Sequence, residues 1–179
     1  MERELRYRGF EDHMAQHRGI VFKLAGIYAQ PEDRDDLAQE IYLQLWRSYE
    51  RFDPARRFST WMYRVALNVA ISFARRAATA EKRTVDLSEV DEVASAEAPN
   101  DRDERIEEVY RLIRGFDELN RALILLHLEG HSYREISEVL GISETNVSTK
   151  LNRLRERMRR DLTTKRHDGS SATTLSAQH

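Results

Sequence analysis

The residues in this sequence that could carry out chemistry are basic and polar side chains suited to nucleic acid. Four of them recur at positions i, i+4, i+8 and i+11 of a predicted helix, and this spacing places them on one face. They are Arg64, Asn68, Ser72 and Arg75. The loop before that helix, from Arg51 to Phe58, contains Phe52, Arg56 and Arg57, which offer aromatic stacking and phosphate pairing. We therefore predict a surface for single-stranded nucleic acid.

A second basic region has the pattern of a helix-turn-helix. Ser132 and Glu135 form a capping box, Gly141 ends the short helix that follows, and Ser143 begins a longer basic helix. The second helix of such a motif enters the major groove, where its early exposed residues lie closest to base edges. The predicted base-reading residues are Glu144, Thr145, Ser148, Thr149 and Asn152. The predicted phosphate-binding residues are Lys150, Arg153, Arg157 and Arg160.

An exposed apolar patch is predicted on the second helix of the chain, which ends at about Tyr49. Its apolar stripe is assigned to the core: Leu37, Ala38, Ile41, Tyr42, Leu45 and Tyr49. That assignment leaves Gln39, Glu40, Leu43, Gln44 and Arg47 outside, with Trp46 half-exposed. An apolar Leu43 on a polar face predicts contact with another protein.

The sequence gives no indication of catalysis. It contains no glycine-rich phosphate loop, metal-ligand cluster or nucleophile–base pair, so we expect no enzyme activity, no cofactor and no metal. His13 and His17 have a spacing that metals can use, but no third ligand joins them, and we interpret them as ordinary helix residues. The absence of cysteine predicts a cytoplasmic protein. The longest apolar run, Ala122 to Leu126, is too short to span a membrane, so we expect neither a membrane span nor an export signal.

Composition predicts an all-α protein with two small helical domains. Apolar residues make up 40% of the chain and charged residues 34%, with only 7 Gly and 3 Pro, which favours helices over strands. An acidic segment without periodicity predicts a flexible linker between two basic regions, although the net charge is only −2. The predicted boundaries are a first domain over 1–77, a linker over 78–103, a second domain over 104–162 and a disordered tail over 163–179.

Two helices of this arrangement have specific predicted boundaries. Ser59 is the predicted N-cap of a long helix from Thr60 to Ala77. Its predicted buried residues are Met62, Val65, Ala66, Val69 and Phe73. The second domain is predicted to begin with a helix whose apolar stripe is Ile106, Val109, Tyr110 and Ile113.

Two blocks of sequence resemble a known family. The segment Asp35 to Arg47, followed by Phe58 to Asn68, resembles domain 2 of the extracytoplasmic-function sigma factors. The segment Gly130 to Ser143 is similar to their domain 4. The resemblance implies a specificity subunit of RNA polymerase that recognises promoters at −35 and −10 and initiates transcription. The second of these segments, with its helix-turn-helix, would carry −35 recognition.

The resemblance also implies the binding partners and which residues contact each of them. Core RNA polymerase would bind the face formed by Asp36, Gln39, Glu40, Leu43, Trp46 and Arg47. The −10 strand would be held by Phe52, Arg56, Arg57, Arg64, Asn68, Ser72 and Arg75. Promoter DNA at −35 would contact the residues listed above for the last helix. Members of the family are often held inactive by an anti-sigma factor, whose binding surfaces would overlap those for polymerase.

Two other classes of protein remain as alternatives. A conventional helix-turn-helix repressor or activator would need a dimer interface or a sensor domain, and residues 1–77 show neither a heptad seam nor the signature of a ligand pocket. A nucleic-acid enzyme would need one of the catalytic constellations excluded above. The paired blocks favour the initiation factor over both.

Overall fold

The computed structural model describes the backbone of residues 2–84 and 101–171, and side chains within 7–80 and 106–160. Every regular element in those ranges is a helix, which confirms the all-α prediction. The α-helices are α1 (Glu2–Tyr28), α2 (Arg34–Ser48), α3 (Phe58–Thr84), α4 (Asp101–Arg114), α5 (Glu118–Leu128), α6 (Tyr133–Leu140) and α7 (Glu144–Ser171). Short 3-10 helices, Pro31–Asp33 and Tyr49–Arg51, flank α2. The chain forms two compact units, Met1–Ala122 and Leu123–His179.

The core of the first unit lies between α1, α2 and α3. Each helix contributes one apolar stripe, because a helix can turn only one face toward its neighbours. The buried members of the stripes on α1 and α2 include Phe10, Met14, Val21, Leu24, Tyr28, Leu37, Ala38, Ile41 and Leu45. The four on α2, Leu37, Ala38, Ile41 and Leu45, belong to the predicted stripe. Two further members of the predicted α2 stripe, Tyr42 and Tyr49, are only half-buried.

The third helix differs from the prediction in its start and in its buried face. It begins at Phe58, so Ser59 lies inside the first turn, and the Arg57 carbonyl accepts the hydrogen bond from Trp61. The N-cap assignment was therefore wrong. After Phe58, its buried residues are Met62, Tyr63, Ala66, Leu67 and Ala70, whereas the predicted Val65, Val69 and Phe73 are only half-buried. The true stripe lies about one residue away because α3 packs against two helices at once and has to bury a broader face.

The ends of the predicted linker are helical. Helix α3 continues past Ala77 to Thr84, and α4 begins at Asp101, while residues 85–100 lie outside the described part of the chain. The predicted apolar stripe of α4 is also only partly buried. Ile113 is in the core, but Ile106 and Val109 are 43% and 46% exposed. Helix α4 lies in the first compact unit and packs on α1.

The second unit is organised by two helix ends that require glycine. Gly130 and Gly141 have φ values of +79° and +69°, in the left-handed region that disfavours a side chain. After α5, the His131 amide donates to the Leu126 carbonyl, and the Gly130 amide donates to the His127 carbonyl. This pair of bonds is a Schellman motif. After α6, the amides of Gly141 and Ile142 both donate to the Ser137 carbonyl.

The predicted helix-turn-helix is present in this unit. The Ser132 hydroxyl accepts a hydrogen bond from the Glu135 amide at 3.2 Å, and the Glu135 carboxylate accepts one from the Ser132 amide, which confirms the capping box. The Asn146 amide donates to the Ser143 hydroxyl, which confirms the second cap. The two helices contact each other, and each has buried apolar residues: Ile136 and Val139 on α6, and Val147, Leu151 and Leu154 on α7. The short turn between two capped helices therefore fixes how α7 is presented.

The last helix is longer than predicted. Helix α7 extends to Ser171, so the first part of the predicted tail, residues 163–171, is helical and not disordered. The remainder of that prediction, 172–179, falls outside the described residues. Nothing in the sequence before Gly169 ends the helix, because neither proline nor glycine interrupts residues 144–168.

Candidate functional site

The predicted protein-binding face of α2 is exposed in the structure. Leu43 is 53% exposed, and Asp36, Gln39 and Arg47 are also exposed, which confirms the predicted orientation of the helix. Glu40 and Trp46 are half-buried. The face is therefore a ridge of polar side chains with one apolar residue near its centre.

An open apolar groove lies beside this ridge. It has a volume of about 620 Å³, and α1 and α2 form its walls. Leu43 and Trp46 line it from α2, and the Trp46 ring makes edge contacts with Phe10 and Tyr7 at centroid distances of 5.2 and 5.7 Å. Tyr7 is 51% exposed. Leu43 thus belongs to an apolar surface formed by α1 and α2 together. The contribution of α1 was not predicted, because the sequence does not show how α1 packs against α2.

The opposite side of the ridge is polar and faces α3. The Glu40 carboxylate accepts two hydrogen bonds from Arg76 at 2.9 and 2.7 Å. Both side chains are about half exposed, so this ion pair contributes little to stability and can exchange with solvent or a ligand. Glu40 also lines a groove of about 340 Å³ together with Asn68 and Ser72. Asn68 and Ser72, which were predicted to contact the −10 strand, therefore lie beside Glu40, which was predicted to contact core polymerase.

The predicted polar stripe on α3 is confirmed as an exposed face. Arg64, Asn68, Ser72 and Arg75 are all exposed. The Ser72 hydroxyl donates to the Asn68 carbonyl one turn earlier at 2.8 Å, which leaves its oxygen free to accept. Arg64 and Arg75 bracket the stripe with positive charge. An arrangement of this kind can pair with phosphates at its ends and offer hydrogen bonds between them.

The loop before α3 is a compact turn built on Asp53. Its side chain accepts a hydrogen bond from the Ala55 amide at 3.0 Å, and its carbonyl accepts one from the Arg56 amide at 2.9 Å. The guanidinium of Arg56 lies 3.9 Å from the Asp53 carboxylate, with both side chains largely exposed. Arg57 is exposed as well. The turn therefore holds its arginines at the surface.

Aromatic rings anchor this turn from behind. Phe58 is buried, and its ring lies 4.3 Å from His13, 5.3 Å from Phe52 and 5.3 Å from Trp61 between centroids. Phe52 stacks on Tyr49 at 5.9 Å and is half-buried. We call the rings of His13, Tyr49, Phe52, Phe58 and Trp61 the aromatic cluster. Phe52 therefore has one face in this cluster, which limits how it could stack on a base.

The histidines of α1 support the loop, a role that sequence reasoning missed. The Nδ1 atom of His13 lies 2.6 Å from the Gly9 carbonyl and 3.2 Å from the Tyr49 hydroxyl. His17 lies 5.4 Å from Phe58, and burial together with the nearby His13 lowers the His17 pKa. Burial also raises the Tyr49 pKa, with a smaller contribution from Asp12. The spacing of His13 and His17 placed them on one face, but only the fold shows which loop they meet.

The predicted duplex-reading residues lie on the exposed face of α7. Glu144, Thr145, Thr149 and Asn152 are exposed, and Ser148 is half-buried. Among the predicted phosphate-binding residues, Arg153, Arg157 and Arg160 are exposed and Lys150 is half-buried. Asn146, which was not predicted, is exposed in the same first turn. The first three turns of α7 thus present a polar surface that becomes basic further along the helix.

An apolar groove of about 300 Å³ lies between α5 and α7 in the second unit. It is lined by residues that include Ile124, Leu128, Leu151 and Met158, and Leu128 is 64% exposed. His127 and Arg155 close one side, with 2.6 Å between the Arg155 Nη2 and the His127 Nε2. The sequence did not predict this groove, because the leucine-rich pattern of α5 is typical of a fully buried helix.

The described residues contain neither a membrane-spanning helix nor a cluster of metal ligands. No helix there is long and apolar enough to cross a membrane. No group of three potential metal ligands occurs among those side chains. His13 belongs to the aromatic cluster, and His17 lies 5.4 Å from the Phe58 ring of that cluster.

Models of two regions of one protein family match the chain in the order that the resemblance implied. The Sigma-70 region 2 model matches residues 10–79, and the Sigma-70 region 4 model matches residues 106–158. The first match contains the α2 ridge, the aromatic cluster and the α3 stripe. The second contains the helix-turn-helix. The fold and these surfaces define a sigma factor of RNA polymerase.

Curated relatives identify the branch of that class. The ECF RNA polymerase sigma-E factor of Haemophilus influenzae is 33% identical over 156 residues, covering 75% of this chain and 78% of that protein. The ECF sigma factor SigW of Bacillus subtilis is 29% identical over 171 residues, covering 86% and 88%. The ECF sigma factor SigE of Mycolicibacterium smegmatis is 28% identical over 162 residues, covering 84% of this chain and 60% of that protein. The chain therefore spans less than two thirds of the length of this relative. This chain belongs to the ECF sigma factor family, whose members direct promoter-specific transcription initiation.

Solved structures support the same fold. CnrH, solved in complex with the cytosolic domain of CnrY, matches with a TM-score of 0.65 and 22% identity, covering 88% of this chain and 90% of that one. The sigma factor RpoE of Bartonella quintana, solved with the anti-sigma factor NepR, matches with a TM-score of 0.66 and 16% identity, covering 87% and 98%.

The aromatic cluster yields a prediction about stability. Phe58→Ala removes a buried ring that contacts five other rings, so we expect the free energy of unfolding to fall by about 3–5 kcal/mol. Phe22→Ala is the matched control, because Phe22 is 57% exposed on α1 and its loss should change stability by less than about 1 kcal/mol. Urea unfolding followed by circular dichroism measures both. Equal effects of the two variants would contradict the packing described for the loop.

Proposed function

We propose that this chain guides RNA polymerase to promoters by holding DNA at two places. Region 2 would bind the −10 strand, and region 4 would bind the −35 duplex. The observation that supports this most strongly is that the core leaves the α3 stripe and the first turns of α7 exposed, each rich in hydrogen-bonding and basic side chains. The chain would act in the cytoplasm as a specificity subunit, without catalytic residues, cofactor or metal of its own.

The α2 ridge is the proposed contact for core polymerase. Leu43 supplies an apolar centre, the groove beside it adds Trp46 and Tyr7, and exposed Gln39 and Arg47 give a polar rim. An apolar centre within a polar rim is the usual anatomy of a protein interface. An anti-sigma factor would compete for the same ridge, because an inhibitor of this kind acts by covering the surface that polymerase needs. The complexes solved for CnrH and for RpoE of Bartonella quintana make such a partner a reasonable expectation.

The loop and the α3 stripe are the proposed contact for the opened −10 strand. The Asp53 turn holds Arg56 at the surface, and the stripe continues from Arg64 to Arg75 along α3. A strand following this path would meet positive charge at both ends and polar side chains between them. Phe52 stacks on Tyr49 in the aromatic cluster, so we assign it two roles: it stabilises the loop, and it stacks on a base.

The early turns of α7 are the proposed contact for the −35 duplex. Glu144, Thr145 and Thr149 are near the N-terminus of the helix, and the capped turn at Gly141 and Ser143 fixes its entry. Side chains at this position of a helix-turn-helix reach base edges, whereas Arg153 and Arg157, further along, are placed for phosphates.

The first prediction from the proposed function concerns polymerase binding. Leu43→Asp places a charge at the centre of the ridge, so the Kd for core polymerase should rise by roughly 30-fold, equivalent to about 2 kcal/mol. Leu43→Met keeps an apolar side chain and should bind like the parent. Titration with fluorescently labelled core measures both, with circular dichroism to verify helicity. If the folded Asp variant binds core as tightly as the parent, α2 is not the docking surface.

The second prediction concerns strand opening. Arg56→Ala removes an exposed charge without disturbing the aromatic cluster, so it should reduce permanganate reactivity of −10 thymines more than it reduces closed-complex formation. Arg111→Ala, which removes an exposed arginine from α4 and lies outside the proposed binding surfaces, is the control and should leave both stages unchanged. Equal loss at both stages in Arg56→Ala would argue against a role in opening.

The third prediction separates base readers from phosphate anchors. Thr149→Ala should relax the preference at particular −35 base pairs by about 1–3 kcal/mol. Arg153→Ala should weaken all promoters alike and reduce the slope of log K against log salt by about one. Transcription from a promoter library at two salt concentrations distinguishes the two patterns. A change of −35 preference in Arg153→Ala, with none in Thr149→Ala, would reverse the assignment.

A further inference from the structure

The loop from Arg51 to Phe58 is attached to α1 on both sides through one imidazole ring. On the side where the loop begins, the Tyr49 hydroxyl lies 3.2 Å from the His13 Nδ1. On the side where it ends, the Phe58 ring lies 4.3 Å from the His13 ring between centroids, with 35° between the ring planes. His13 therefore contacts residues at both ends of the loop, although it belongs to neither the α2 ridge nor the α3 stripe.

The orientation of the His13 ring is itself fixed by α1. Its Nδ1 lies 2.6 Å from the carbonyl oxygen of Gly9, one turn earlier in the same helix. A carbonyl oxygen can only accept, so the proton of this hydrogen bond is on Nδ1. The Tyr49 hydroxyl oxygen lies near enough to the same nitrogen to accept from that proton as well. The imidazole thus determines where the Tyr49 hydroxyl lies against α1.

Gly9 lets the Tyr49 hydroxyl come close to the backbone of α1. A methyl group added at Gly9 would lie 3.1 Å from the Tyr49 hydroxyl oxygen, which is tighter than ordinary van der Waals contact. A side chain at this position would therefore push the hydroxyl outward by a few tenths of an ångström. The Gly9 backbone and the His13 ring together define the position that Tyr49 occupies.

A displacement of Tyr49 would reach the tip of the loop through Phe52. The Phe52 amide donates to the Tyr49 carbonyl at 3.1 Å, and the two rings stack with 16° between their planes. Phe52 directly precedes Asp53, whose turn holds Arg56 at the surface. The hydrogen bonds that Asp53 accepts join residues within the turn, so they fix its shape and not its direction. The direction of the turn therefore depends on the contacts that hold Tyr49 and Phe52.

We propose that His13 is a positioning residue for the −10 contact. Its hydrogen-bonded ring fixes Tyr49, and Tyr49 in turn directs Phe52 and Arg56 toward the opened strand. The proposal rests on the proposed function, because it gives α1 a part in the strand contact that this loop makes. Binding to core polymerase should not depend on His13, since neither His13 nor Tyr49 lines the groove beside the α2 ridge.

The free full-length chain tests the geometry without polymerase or DNA. Nitroxide labels at Gln16 on α1 and at Ala55 in the turn report the direction of the turn, because both positions are exposed and the chain has no native cysteine. His13→Phe keeps a ring against Phe58 but cannot donate a hydrogen bond. Electron paramagnetic resonance should therefore show a broader or shifted distribution of label distances in His13→Phe. A distribution identical to that of the parent would overturn the positioning role, whatever the chain does at promoters.

The consequence for strand opening is measured in the complex with core polymerase and promoter DNA. His13→Phe and Tyr49→Phe each remove one partner of the contact and keep a ring. Each should reduce the permanganate reactivity of −10 thymines, relative to the amount of closed complex, by about fivefold, which is within what one hydrogen bond contributes. The double variant should lose no more than either single variant, because the two residues act through one contact. A loss in the double variant equal to the product of the two single losses would overturn the proposal.

A pair of glycine variants tests the same contact from the backbone side. Gly9→Ala displaces the Tyr49 hydroxyl and leaves both partners of the contact in place, so it should also reduce opening relative to closed complex. Gly19→Ala is the matched control, because a methyl group at Gly19 meets nothing within 4 Å. Both substitutions lie in α1 and raise helix propensity alike. Equal opening in Gly9→Ala and Gly19→Ala would contradict the proposed route through Tyr49.

Two further variants separate positioning from stability and from the proposed function. Val21→Ala truncates a fully buried residue of α1 that belongs to no proposed binding surface, so it lowers stability and should leave opening per closed complex unchanged. As large a loss of opening in Val21→Ala as in His13→Phe would overturn the positioning role. If Arg56→Ala leaves opening unchanged, the proposed function of the loop fails. If Arg56→Ala reduces opening and His13→Phe does not, only the positioning role is wrong.

Discussion

The packing of α1, α2 and α3 on one shared core is the constraint on which the rest of the first unit depends. Each helix turns a single stripe inward, so the remaining surface of α2 and α3 is committed to solvent or to partners. Leu43 is left on one side of α2, while Arg64, Asn68, Ser72 and Arg75 are left on α3. The proposed polymerase ridge and the proposed strand surface are thus two consequences of one packing arrangement. The Glu40–Arg76 ion pair lies where these surfaces meet.

In the second unit, backbone conformation at the helix ends determines which residues are exposed. Gly130 and Gly141 end α5 and α6 in the left-handed region, and the Ser132 and Ser143 caps begin the helices that follow. These local bonds determine the short turn, and the turn determines which residues of α7 are presented first. Burial of Val147 and Leu151 then fixes the rotation of α7 about its axis. Recognition of a base sequence by a few side chains requires both the direction and the rotation of the helix to be fixed.

Much of this arrangement could be predicted from the sequence, because it rests on local rules. Capping residues, glycine positions and the 3.6-residue period predicted the helix-turn-helix and the exposure of Leu43 and of the α3 stripe. What could not be predicted depends on how helices pack. Val65 and Val69 of α3 were predicted to be buried but are half-buried, and Tyr63 and Leu67 are buried instead, because α3 packs against two neighbouring helices. His13 was interpreted as an ordinary helix residue because its partners, Tyr49 and Phe58, are distant in sequence. The docking of α4 on α1 likewise depends on residues more than 80 positions apart.

The central claim is that this chain gives RNA polymerase its choice of promoter, and one measurement tests it most directly. Core polymerase would transcribe a pool of genomic fragments with and without the purified chain, and the 5′ ends of the RNA would be sequenced. With the chain present, we expect transcription to concentrate at start sites that share one −35 and one −10 motif at a fixed spacing. If the chain co-elutes with core and the start sites remain as scattered as with core alone, the account is contradicted.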